Sequence, residues 1–109
     1  MLESIIQRLE LAEERFKFLE GEISSSRVIS DQKTYSSYTK EYSDLRPLVE
    51  KHLEFKKIQG EIDEAKLLLN DSDGELRNLA KDELSKNTEL LVELELDLKK
   101  LLIPKNSNE

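Results

Sequence analysis

An all-α protein is predicted: a long antiparallel helical hairpin, coiled-coil-like, with an N-terminal helix packed on it and a short crossover helix. Three observations predict it. Leucines and isoleucines recur at seven-residue spacing along two long stretches. Those stretches are joined by five polar residues, 70–74, too few to let them do anything but fold back antiparallel. Only three glycines, two prolines and six aromatics leave little material for tight β-turns or aromatic β-cores, whereas Leu, Glu and Lys propagate helices well.

The elements follow in order within a single helical domain, 1–109. Leu2, Ile5, Leu9, Ala12, Phe16, Leu19 and Ile23 alternate spacings of three and four, which places one apolar stripe on a helix over about 2–23. The serines at 24–26 stop it, because their hydroxyls compete for backbone hydrogen bonds outside helical geometry. A second, short helix over about 31–45 starts at Ser30 or Asp31, either of which can cap it, and carries Tyr35, Tyr38, Tyr42 and Leu45 on one face. Pro47 ends or bends that element, since its ring disfavours helical geometry at Arg46, and it suits the first turn of the next helix.

The third helix is predicted over about 47–69, with Leu48, Phe55, Ile62 and Leu69 as one series and Ile58 and Ala65 as companions. A polar turn follows. Ser72 and Glu75 have capping-box spacing and open a fourth helix over about 75–103. Leu84, Leu91 and Leu98 form one series there, and Ala80, Leu94 and Leu101 the other. Asn87 interrupts the second series, either fixing register from a buried position or facing water at the stripe's edge. Pro104 and the polar tail 104–109 close the chain.

The net charge of −7 disfavours strong nucleic-acid binding, which needs clustered Lys and Arg to release counterions. The most basic stretch, residues 24–46, reaches only +1. Mixed signs elsewhere form local pairs such as Glu13–Lys17, Asp82–Lys86 and Glu95–Lys99 on solvated faces. Without cysteine there is no disulfide, thiolate ligand or cysteine nucleophile. Apolar runs stop at three residues, against the roughly 20 that span a bilayer, and no signal peptide is visible, so the expected setting is cytoplasmic, away from membranes.

No active site is legible. Aligning Gly74 with the sixth position of a calcium loop puts Leu69 and Ala80 where carboxylates are required, so residues 70–74 read as a capped turn. His52, the only histidine, lacks a second histidine at helical spacing and reads as a surface or boundary residue. Tyr35, Tyr38 and Tyr42, with Lys33, Lys40 and Arg46 nearby, could stack bases, but their spacing is that of a packing stripe. The many carboxylates lack a nucleophile or pocket and read as solubilising. No catalytic, metal-ligating or cofactor-binding residue is therefore expected, and the sequence singles out no partner-binding residue.

Several stretches carry a resemblance. Asp44-Leu45-Arg46-Pro47-Leu48-Val49-Glu50, residues 62–71 (Ile-Asp-Glu-Ala-Lys-Leu-Leu-Leu-Asn-Asp) and residues 75–84 (Glu-Leu-Arg-Asn-Leu-Ala-Lys-Asp-Glu-Leu) resemble the N-terminal domain of the bacterial peptide chain release factor 1 family. Leu101-Leu102-Ile103-Pro104-Lys105-Asn106 is similar to the Leu-Leu-x-Pro-Lys-Asp segment that ends that domain, with Asn106 in place of the aspartate.

The resemblance implies a part in translation termination, docking or positioning the factor on the ribosome near the GTPase-associated centre. In that family stop-codon reading uses a Pro-x-Thr loop and peptidyl-tRNA hydrolysis a Gly-Gly-Gln motif. Neither motif occurs in this sequence, so a fragment without enzymatic activity is expected, with the ribosome as partner only in the context of the full factor. A stand-alone coiled-coil adaptor, binding partner helices through an exposed stripe, is the alternative.

Overall fold

The computed structural model describes residues 1–103; the predicted polar tail, 104–109, lies outside them. Four helices follow one another: α1 (Glu3–Glu22), α2 (Ser26–Ile29), α3 (Gln32–Leu68) and α4 (Gly74–Leu101). No strand occurs among the described residues. The chain divides into two compact units, Met1–His52 and one that begins at Leu53, so α3 contributes to both.

In the first unit α1 runs antiparallel to the opening half of α3, as the contact order shows. Phe18 meets Tyr38, and Phe16 stacks on Tyr42 with ring centroids 4.3 Å apart. Leu9 and Leu19 are buried along the predicted α1 stripe, whereas Leu2, ahead of the helix, is exposed. Glu13 and Lys17 pair at 3.2 Å, one helical turn apart, as their spacing predicts.

The crossover differs from expectation. A single helical turn, α2, makes it and buries Val28, while the segment predicted as a separate short helix is the start of α3. Asp31 caps α3: its Oδ1 accepts from the Thr34 backbone N–H at 3.3 Å and its Oδ2 from the Thr34 hydroxyl at 3.0 Å.

Pro47 neither ends nor starts a helix. The helix is continuous from Gln32 to Leu68 with Pro47 inside it. An interior proline removes the N–H that would reach the carbonyl four residues back and costs about 3 kcal/mol. Packing on both sides offsets that penalty. The Phe16–Tyr42 stack holds the turn before it, and Val49 and His52 are buried on the turn after it. Pro47 and Ser43 are themselves exposed, so water can solvate the Ser43 carbonyl that the proline leaves unbonded.

In the second unit α3 and α4 form the predicted antiparallel hairpin. Phe55, Ile58, Ile62 and Ala65 are buried on α3, and Ala80, Leu94 and Leu98 on α4. Asn87 is buried too, and its Nδ2 donates to Glu61 Oε1 across the hairpin at 3.2 Å. The side chain that interrupts the leucine series is therefore inside and partnered, which resolves the two readings of it. The predicted pair Glu95–Lys99 closes at 3.2 Å. Leu101, the last residue of the other α4 series, is exposed at the helix end.

The capping box predicted from Ser72 does not form. Asp73 is the cap, accepting from the Glu75 N–H at 2.9 Å, and α4 begins at Gly74. Asp71 supports it by accepting from the Asp73 N–H at 2.8 Å, while Arg77 reaches back to the Asp71 carbonyl at 2.7 Å. A carboxylate accepts more strongly than a hydroxyl and favours the positive end of the helix dipole, so Asp73 outcompetes its serine neighbour.

Candidate docking surface

Three groups of residues stand out, two in the first unit and one in the second. The first is His52, which is buried at 4% exposure and not at the surface or its boundary as predicted. It lies three residues after Val49 and three before Phe55, inside the buried stripe; a strict heptad count from Leu48 places it to one side. Its Nε2 is 3.2 Å from Glu13 Oε1, and the other Glu13 oxygen is 3.2 Å from Lys17 Nζ. Among the described residues no group of three or more His, Cys, Asp or Glu could hold a metal ion. The pair brings the α3 imidazole against a carboxylate of α1.

The second group centres on Arg15. Its Nε and Nη2 donate to the two Glu41 oxygens at 2.7 and 2.8 Å, a bidentate fork. The guanidinium also lies 5.2 Å from the Phe18 ring centroid and 5.6 Å from that of Tyr38, while Arg46 covers Tyr42 at 5.1 Å. Tyr38 and Tyr42 thus meet phenylalanines and arginines on neighbouring helical turns, the packing role their spacing predicts; Tyr35 stays exposed.

Hydrogen bonding from Arg15 holds the Glu41 carboxyl below its ordinary value, opposed by burial and aided by the guanidinium charge. The same bonds raise Arg15. A depressed folded pKa means the contribution is whole above the unfolded value, about 4.3, and is lost as pH falls through the lower folded value. Both side chains are more than a third exposed (43% and 38%), so screening keeps the contribution to about 0.2–1 kcal/mol. Glu41→Gln is expected to lower the urea midpoint slightly at neutral pH and to match the unsubstituted chain near about pH 2. A gap that persists in acid would assign the effect to packing.

The third group surrounds the bend between α3 and α4. Leu67 and Leu68 end α3 at 77% and 38% exposure, and Leu76 and Leu79 lie in the first turns of α4 at 37% and 63%. Leu79 sits in an open hollow with Glu75, Asn78 and Asp82. Fully burying a leucine is worth about 1.5–3 kcal/mol, and Leu67 and Leu79 forgo most of that while Leu68 and Leu76 forgo about a third of it. The carboxylates of Asp71 and Asp73 are committed to backbone N–H groups as caps.

In the sequence these leucines stood out only as members of the 62–71 and 75–84 stretches that carry the resemblance. The available signal was phase: Leu67, Leu76 and Leu79 all fall outside the two heptad series that the hairpin buries.

The PCRF domain family matches residues 12–109. The chain belongs to that family. This PCRF domain chain is also similar to peptide chain release factor 1 of Clostridioides difficile (strain 630), 42% identical over 106 residues. The match covers 96% of the PCRF chain and 30% of the relative, so the chain spans less than a third of that protein's length. No solved structure matches. The identity reaches both halves of the hairpin as well as most of α1, so the resemblance seen in short stretches extends over nearly the whole PCRF domain. No helix among the described residues is long and apolar enough to cross a membrane.

Proposed function

We propose that this PCRF domain serves translation termination as the N-terminal helical part of a release factor, docking or positioning that factor on the ribosome near the GTPase-associated centre. The observation that carries the reading is the 42% identity to a release factor across 96% of this chain. A helical chain with no glycine-rich loop and neither release-factor motif in its sequence supports a positioning role. The domain contributes contacts and orientation, and the chemistry of release belongs to other parts of the factor. The cytoplasm, where ribosomes terminate translation, is the setting this reading requires.

The test is sedimentation of the chain with 70S ribosomes, together with a peptide-release assay on a ribosome halted at a stop codon. Co-sedimentation without peptide release is expected. A chain that stays in the supernatant at high micromolar concentration refutes docking by this domain. Peptidyl-tRNA hydrolysis by the chain alone refutes its chemical inertness.

A further inference from the structure

We propose that Glu13 and His52 form a proton-operated clasp, in which uptake of one proton by the buried imidazole tightens α1 on α3. The inference goes beyond the docking reading and does not depend on it.

The pair spans two helices and is nearly closed to water. The His52 side chain is 5% exposed and that of Glu13 12%, with Nε2 and Oε1 3.2 Å apart. Charges so shielded interact strongly, whereas the same pair on a surface is screened by water and salt. Lys17, itself 69% exposed, touches the other Glu13 oxygen at 3.2 Å and favours the ionised carboxylate. A full negative charge therefore faces the imidazole as it titrates. On α3 itself Lys51 and Lys56 stand one and four residues along, and α2 brings Arg27, which is bonded to Glu22.

Two effects compete at His52. Burial disfavours the imidazolium, and a carboxylate within about 4–6 Å favours it. The carboxylate is itself almost removed from water, and a buried charge facing a neutral group carries a cost of its own. One proton on the imidazole turns the contact into an ion pair and relieves that cost, so attraction wins. A proton held more tightly by the folded chain stabilises the fold below the unfolded value, about 6.5. That contribution is lost as pH rises through the higher folded value. Histidine titrates close to neutrality, so the hold of α1 on α3 varies there, apart from the acid range in which the Arg15–Glu41 pair responds.

Ring-proton NMR of the full chain reads the clasp directly, because one histidine gives one titrating signal. Its midpoint is expected at least about one pH unit above the ordinary 6.5, a tenfold tighter hold on the proton. Glu13→Gln is expected to remove that tenfold gain, and with it a fall in the urea midpoint between about pH 5.5 and 8.5. Lys17→Gln, a surface change that covers the case of a misfolded Glu13 variant, removes the competing cation and is expected to raise the midpoint further. Asp97→Asn tests a carboxylate of α4 and is expected to leave it in place. A midpoint at or below about 6.5 in the unsubstituted chain overturns the proposal, because burial then governs His52. A larger shift from Asp97→Asn than from Glu13→Gln, or no rise with Lys17→Gln, overturns Glu13 as the partner. A urea midpoint with the same pH dependence in the unsubstituted chain and Glu13→Gln overturns the tightening of α1 on α3.

Discussion

Leu98→Ala is expected to destabilise the protein by about 2–5 kcal/mol, the range for emptying a buried leucine site. Leu98 has no exposed surface at all, so every atom removed was in contact with protein. The loss combines the transfer free energy of the missing methyl-bearing carbons with a cavity that a packed helix only partly closes. A chain of this size has about 5–15 kcal/mol of net stability, so the variant sits near the edge of folding at ambient temperature. Leu96→Ala, two residues away and 54% exposed, is expected to change stability by no more than about 0.5 kcal/mol. Urea unfolding of the two variants side by side provides the check, and equal midpoints would mean that α4 is rotated from the orientation described here.

The second large effect has the opposite sign. Pro47→Ala restores a backbone N–H in the middle of a 37-residue helix and relieves the ring's clash with the preceding turn. Relief of about 3 kcal/mol is offset by the alanine chain's greater freedom when unfolded, about 0.4–1 kcal/mol, and by incomplete relaxation of the helix around the new bond. A net gain of about 1–2 kcal/mol is expected, seen as a higher urea midpoint at unchanged slope. A lower midpoint would show that the packing of Tyr42 and Val49 depends on a bend the proline imposes.

Proline 47 also marks where local rules gave the wrong answer. Backbone preference at Arg46 and Pro47 argues for a break, yet Tyr42 before them and Val49 and His52 after them pack along one helix. The sum of those contacts exceeds a penalty that a short-range reading treats as decisive. Periodicity fared better because it reports burial directly: Phe55, Ile58, Ile62, Ala65, Ala80, Leu94 and Leu98 were all assigned to buried series and all are buried. His52 was missed because attention to its chemistry overrode its phase, and a histidine three residues from each of two buried side chains belongs to the core. At the start of α4 the competition among Asp71, Ser72 and Asp73 for nearby N–H groups is settled by acceptor strength and geometry, which spacing alone does not rank. The exposed leucines were legible only as misfits, since a side chain that packs against nothing in its own fold follows no period within it.

The bend between α3 and α4 contains no residue of positive φ, and the first residue of α4, Gly74, would accept a methyl group at an ordinary 3.5 Å from Arg77. Its path is held by aspartate caps and not by a conformation that only glycine tolerates. Mutation can therefore vary the side chains displayed there without remaking the backbone. The caps fix the backbone while the side chains around the bend stay free to change.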